Sequence, residues 1–288
     1  MDWPEHLVER IAENGWVLFI GSGVSATCVN STGASPPAWA GLLTQLCNLV
    51  GDSESRDVGL GLIEARDYLS AADHVLHCVR AEGSINSYHR TIQRAVEGPP
   101  GDPYQPSVWY EHLLALNPRI VFTTNYDKLF EMASRNAYAT HRPGSRTLSA
   151  NLRRGDYVLV KLHGSTDSIQ EIVLTRTDFA RLMSTRDDVL EALRALSLTS
   201  TILFIGYSLD DPDIQFVFQA VGRGSLDPEA HFMLAPEPAT LSRIPVFATA
   251  FGVTVLTYPT GEHETAEAAL SQLAAEVLGR RTAGVASS

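Results

Sequence analysis

The sequence predicts an α/β fold: a Rossmann-like, doubly wound parallel sheet with a helical insertion and no zinc module. Three observations lead there. Short apolar runs rich in β-branched and aromatic residues recur along the chain, four of them close on a Gly, Asn, Asp or His, and segments of helical period lie between them. Near-continuous hydrophobicity is what strands covered on both faces need, and strand–helix alternation winds such strands into a parallel sheet. Ligands of these sheets bind at the carboxyl ends of the strands, so the polar residues closing each run converge on one rim.

The first run, WVLFIG (16–21), enters the turn GSGVS, which fits the dinucleotide fingerprint G-x-G-x-x-G/A at Gly21, Gly23 and Ala26. Gly21 and Gly23 let the backbone turn tightly and approach a pyrophosphate, while Ser22 and Ser25 offer hydroxyl and amide donors at a helix N-terminus. A dehydrogenase with this fingerprint needs an acidic residue about 20 positions on, at the end of a second strand. Here that region reads TGASPPAWAGLLTQL, with no carboxylate, so hydride transfer loses its support.

Residues from about 39 to 118 interrupt the alternation. WAGLLTQLCNLV, LIEARDYLSAADHVLHCVRAEG and INSYHRTIQRAVEG have helical period and are followed by a Pro-rich loop, EGPPGDPYQPS. This is the expected helical insertion.

The second run, RIVFTTNYD (119–127), places Asn125 between a strand and the helical segment DKLFEMASRN. That puts a neutral amide, with two donors and one acceptor, on the rim; Asn125 and Asp127 equally suit capping of the helix. The loop THRPGSRTLSANLRRGD (140–156) reads as a mobile flap. The third run, YVLVKLHGS (157–165), ends at His163, and Gly164 behind it leaves room for a ligand near the backbone. An imidazole near its ordinary pKa of about 6.5 suits a general base, although a strand-end His is also a common structural hydrogen-bonder.

The fourth run, TILFIGYSLDD (201–211), precedes a helical segment, DPDIQFVFQAVGRG. Asp210, Asp211 and Asp213 have the short spacing of a hard-cation site, but Asp211-Pro212 also opens a helix, and the cap is the reading adopted, with no metal expected. HFMLA (231–235) and VTVLTY (253–258) supply further strands. One domain is expected over residues 1–279, with a flexible tail at 280–288.

The composition, 44% hydrophobic and 19% charged over 288 residues, is that of a folded globular chain. A formal net charge of -11, with no basic cluster longer than Arg153-Arg154 or Arg280-Arg281, works against direct nucleic-acid binding. Three cysteines, Cys28, Cys47 and Cys78, form no C-x-x-C pair and fit a reducing compartment. The N-terminus lacks the layout of a secretory signal and no apolar run approaches the roughly 20 residues of a membrane span, so a cytoplasmic location without membrane contact is expected.

Taken in order, GSGVS, TTNYD, KLHGS and IGYSLDDPD resemble the sirtuin superfamily and, more closely, the bacterial sirtuin-like (SIR2-like) NAD hydrolases of antiphage defence. Pro37-x-Trp39 with Leu42-Leu43, IVLTRTDF (172–179) and the closing YPTGEHETAEAALSQLAAE fit the same branch. The resemblance implies that Gly21, Ser22, Gly23, Val24 and Ser25 hold the pyrophosphate of NAD+. It also implies that Thr124, Tyr126 and Asp127 line the nicotinamide pocket and that Gly206 and Ser208 hold the adenosine side. Asn125 and His163 would be catalytic, the first placing the ribose and the water, the second activating the attacking oxygen. The implied reaction is hydrolysis of NAD+ to nicotinamide and ADP-ribose, with NAD+ as substrate and no metal. The implied assembly is a homo-oligomer or a complex with a defence partner such as a HerA-type ATPase or a nucleotide-sensing subunit.

Two departures separate this chain from the deacylating sirtuins. Those enzymes carry a four-cysteine zinc module that three cysteines cannot build, and an Ile-Pro-Asp-Phe-Arg segment where this chain has SPPAWAGLL. Protein deacylation is therefore disfavoured. A non-catalytic module that senses NAD+ or ADP-ribose is the other alternative.

Overall fold

The computed structural model of the chain describes residues 1–185, 187–207, 217, 230–237 and 243–286. Its centre, among the described residues, is a sheet of seven strands: β1 (Trp16–Ile20), β2 (Ile120–Thr123), β3 (Ala139–His141), β4 (Val158–Lys161), β5 (Thr201–Ile205), β6 (His231–Pro236) and β7 (Val253–Tyr258). They lie in the order β3-β4-β2-β1-β5-β6-β7, and every pairing is parallel. From β1 the chain crosses to β2 on one side and later returns to β5 on the other. The crevice at the carboxyl ends of β1 and β5 is thus the topological switch point, where open α/β sheets bind ligands.

Alternate residues along each strand go to opposite faces. Leu18, Ile20, Leu203, Ile205, Phe232 and Leu234 pack under α1 (Glu5–Ala12), α7 (Val108–Ala115) and the C-terminal helix. Val17, Phe19, Phe122, Ile202, Phe204 and Met233 face the other way, against α9 (Leu148–Arg154), α10 (Arg176–Ser184) and α11 (Asp188–Thr199). Both faces of the central strands are covered, which is why their sequences read as unbroken apolar runs.

Between β1 and β2 the chain forms the short turn α2 (Ser22–Ser25) and then α3 (Trp39–Cys47), α4 (Ser53–Glu64), α5 (Tyr68–Ala81), α6 (Ile85–Glu97) and α7. The insertion has its own core, in which Leu43, Leu46, Val75, Val79 and Ile92 are fully buried. Tyr126 from the β2 end, with Ile172 and Leu174 from the segment leading into α10, joins that core, so the insertion is packed directly onto the rim.

Two expectations are corrected. Residues 140–156 are not a flap: His141 belongs to β3, which pairs with β4 through His141 and Val160, and α9 follows with Leu148 fully buried. Nor is 280–288 a free tail as far as it is described. The last helix runs from His263 to Ala286, following α8 (Leu129–Ala133) and α12 (Arg243–Phe251) in the chain, and is α13. Arg281 on α13 donates from Nη2 to the Ile11 and Leu116 carbonyls at 2.9 and 3.1 Å, capping two helix ends with one guanidinium. Arg280 pairs with Glu5 and Glu9 at 2.7 and 3.0 Å.

The two glycine turns at the crevice are fixed to each other by backbone. Gly21 N donates to Ile205 O and Gly23 N to Gly206 O, both at 2.8 Å. A Cβ on Gly206 would stand 2.6 Å from Val24 N, and Gly206 has φ of +80°, where L side chains are strained. Gly206→Ala is therefore expected to cost about 3 kcal/mol, from backbone strain and overpacking together. Gly33→Ala, at the same φ of +80° but with open space around it, should cost about 1 kcal/mol. Urea melts of the two variants check the contrast.

Candidate active site

The turn after β1 is built for close backbone approach. Gly21 leaves β1 in extended conformation, and a Cβ there would lie 2.6 Å from Gly206 O and 2.8 Å from the Tyr207 ring. A Cβ on Gly23 would meet Gly206 O at 2.8 Å. Both glycines thus make room for the β5 turn, and the Gly23 amide is spent on it. Ser22 is the residue of this turn that faces both neighbouring cavities, whereas Val24 is fully buried beneath it.

The β2 end supplies a directed hydrogen-bond chain. Asn125 donates from Nδ2 to the Gly21 carbonyl at 3.0 Å and to Ser25 Oγ at 2.9 Å. Ser25 in turn donates to Asp127 Oδ2 at 2.7 Å, and Asp127 Oδ1 accepts the Leu129 amide at 2.9 Å, at the start of α8. Asp127 thus closes the helix end with one oxygen and accepts Ser25 with the other. Because Gly21 O can only accept, the Asn125 amide has one orientation, and the group it retains for a ligand is the carbonyl oxygen Oδ1. Thr123 Oγ1 holds the loop by donating to Ile20 O at 2.8 Å and accepting the Asn125 amide at 3.0 Å. Thr124 Oγ1 and the Tyr207 hydroxyl meet at 3.0 Å, joining the β2 and β5 ends.

Two cavities flank this chain. The smaller, about 50 Å³, is lined by Ser25, Thr124, Asn125, Tyr126 and Asp127 with Pro37 across from them. The larger, about 310 Å³, takes in Gly23, Gly206, Tyr207, Tyr68, Trp109 and Tyr258. Ser22 and Trp39 line both, so the compartments adjoin there. Trp39 stacks on Tyr68 with ring centroids 6.3 Å apart.

His163 stands apart from them. It is fully buried, lines neither cavity, and lies edge-on to Phe179 with centroids 4.9 Å apart. Burial pushes its pKa down to about 3, so the ring is neutral but a weak base in this arrangement. Its carbonyl accepts the Val173 amide at 3.0 Å, and the Val173 carbonyl accepts the Tyr126 hydroxyl at 2.7 Å. The His163 and Asn125 segments are thereby linked through one residue.

Residues 119–256 match the SIR2-like domain family. The matched span covers Thr124–Asp127, His163 and Gly206, while the Gly21–Ser25 turn and the insertion precede it. A protein of Bacillus cereus (strain MSX-D12) named NAD(+) hydrolase ThsA is 24% identical over 219 residues, 74% of this chain and 41% of that protein. Its namesake from Acinetobacter baumannii (strain 532279) is 23% identical over 75% of this chain and 41% of its own length. Defense-associated sirtuin 2 of Bacillus subtilis is 30% identical over 39% of this chain and 11% of its own length. The chain thus spans about two fifths of the length of the two ThsA proteins.

Ser208 and Asp210, Asp211 and Asp213 lie outside the described residues. Among the described residues no group of three or more His, Cys, Asp or Glu side chains is disposed to hold a metal ion. No helix among them is long and apolar enough to cross a membrane. Trp39, Tyr207 and Tyr258 were not singled out as site residues from sequence. Tyr207 could have been, since it directly follows the Gly206 turn; Trp39 acts from the insertion, where a helical period reads only as core.

Two tests follow from this geometry. Ser25→Ala removes the middle of the relay and leaves buried Asn125 and Asp127 atoms without their partner, at a cost of about 1–3 kcal/mol in chemical denaturation. For His163, the unfolded chain takes up a proton as pH falls below about 6.5, whereas the fold excludes it until about 3, so stability is lost as pH falls through that window. Between pH 7 and 5 the parent should lose about 2 kcal/mol more than His163→Gln, measured by urea midpoints at the two pH values.

Proposed function

We propose that this SIR2-like domain binds NAD+ across the two adjoining compartments and cleaves the nicotinamide–ribose bond, releasing nicotinamide and ADP-ribose. The carrying observation is the pair of cavities meeting at Ser22 and Trp39, with the oriented Asn125 amide in the smaller one. A dinucleotide has two unequal halves joined at a pyrophosphate. The larger, aromatic compartment suits the adenosine and the Ser22 turn the phosphates, while the smaller cavity, about 50 Å³ in this arrangement, must widen to admit the nicotinamide riboside. The relatives named NAD(+) hydrolase support the same reaction class.

As the C–N bond breaks, positive charge develops on the ribose. Asn125 Oδ1 is an acceptor for a ribose hydroxyl or the attacking water, and Asp127 places a carboxylate behind it through Ser25. Fixed dipoles of this kind stabilise developing charge without reorganising. Water adds to the anomeric carbon, nicotinamide leaves with the bonding pair, and the proton from water passes to a base. His163 is assigned that role, which requires the site to open toward the ring and so raise its basicity.

We further assign the protein to antiphage defence as an NAD+-depleting effector, on the names of the relatives, and expect release of its activity by self-assembly or a partner such as a HerA-type ATPase or a nucleotide-sensing subunit. One observation favours a second reading, a sensor of NAD+ or ADP-ribose without turnover: His163 is closed off from both cavities.

Chromatography of NAD+ incubated with the intact chain, alone and with candidate activators, separates the two. Cleavage predicts nicotinamide, with release lowered about 10²-fold or more in Asn125→Ala and in His163→Ala. Tight calorimetric binding of NAD+ without nicotinamide in any condition would establish the sensor instead.

A further inference from the structure

Of the 22 Lys and Arg residues in the chain only two, Lys128 and Lys161, are lysine. Lys161 closes β4 and is fully buried. Its ammonium meets three acceptors: the Tyr126 carbonyl at 3.3 Å, the Asp127 carbonyl, and Glu131 Oε1 at 3.0 Å. A lysine ammonium has three donors on one tetrahedral nitrogen, and here each has an acceptor; the planar fork of arginine does not match that tripod. Two of the three acceptors are backbone of the loop that carries Asn125, Tyr126 and Asp127, and the third is on α8, which that loop enters.

We propose that Lys161 is a positioning residue for NAD+ cleavage: it clamps the Asn125–Asp127 loop onto β4 and so sets the Asn125 amide and the Ser25–Asp127 relay in register with the pocket. The inference rests on the reading of this site as the one that cleaves NAD+. Burying an ammonium for stability alone is a poor bargain, since an apolar pair of similar size is often as stable or more so. A clamp on carbonyls, in contrast, needs the donors. The loop is held from one side by Thr123 and from the other by Lys161, and displacing a group that positions substrate by about 1 Å is enough to cost about a hundredfold in rate.

The deciding variant is the double substitution Lys161→Met with Glu131→Leu, compared with Lys161→Met alone and with the parent. The single variant strands Glu131 and is expected to be less stable. The double variant replaces the ion pair by an apolar one and is expected to regain stability while the clamp stays absent. Three quantities are read in the intact chain: melting temperature, hydrogen exchange of the Asn125 and Leu129 amides, and nicotinamide release from NAD+. Exchange is compared at a fixed interval below each protein's own midpoint, so that a residual stability difference does not blur it. The expected result is faster exchange at both amides in the double variant and nicotinamide release about a hundredfold below the parent. Parent-like exchange at these amides, or parent-like release, would overturn the proposal and leave Lys161 as part of an ordinary buried pair. If the parent releases no nicotinamide under any condition, the NAD+-cleavage reading falls, and the exchange comparison still decides whether Lys161 clamps the loop.

Discussion

The hydrogen bond from the Gly23 amide to the Gly206 carbonyl is the constraint from which the site is built. It brings the ends of the two central strands so close that side chains are excluded at Gly21, Gly23 and Gly206. With those backbones in contact, Gly21 O faces the β2 end and fixes the Asn125 amide, and Tyr207 reaches both Thr124 and the Ile20 carbonyl. A glycine turn of this sort is often taken as a seat for phosphate alone. Here its first duty is to join two turns, and only Ser22 is left facing both cavities.

Five of the strands were legible because burial on both faces demands a run of apolar residues, and the half-exposed edge strand β7 because VTVLTY is dense in β-branched residues. β3 was not legible for the opposite reason: Ala139, Thr140 and His141 pair on one side only, and three residues at an edge carry no periodic signal. The end of α13 was hidden likewise. Its last turns are held by Arg280 and Arg281 reaching helix ends distant in sequence, and nothing local in RRTAGVASS announces those partners.

At the site, residue identity was legible and environment was not. Asn125, Ser25 and Asp127 stand where strand ends place them, but that Asn125 spends both donors on protein atoms depends on the approach of β1 and β2. His163 shows the gap most sharply. The motif marks a strand-end histidine, while burial beside Phe179, contributed by α10, sets its proton affinity. Trp39 and Tyr126 belong to the same class, because both take their meaning from the insertion packing onto the rim.

Val173, mentioned above as the residue between His163 and Tyr126, has a mechanical meaning. Its amide is bound by one segment and its carbonyl by the other, so it acts as a yoke between the His163 strand end and the ring of Tyr126. Since that ring is seated in the insertion core, the histidine strand end, the β2 loop and the insertion are three neighbours of one valine, tied to it by two hydrogen bonds and a packed ring.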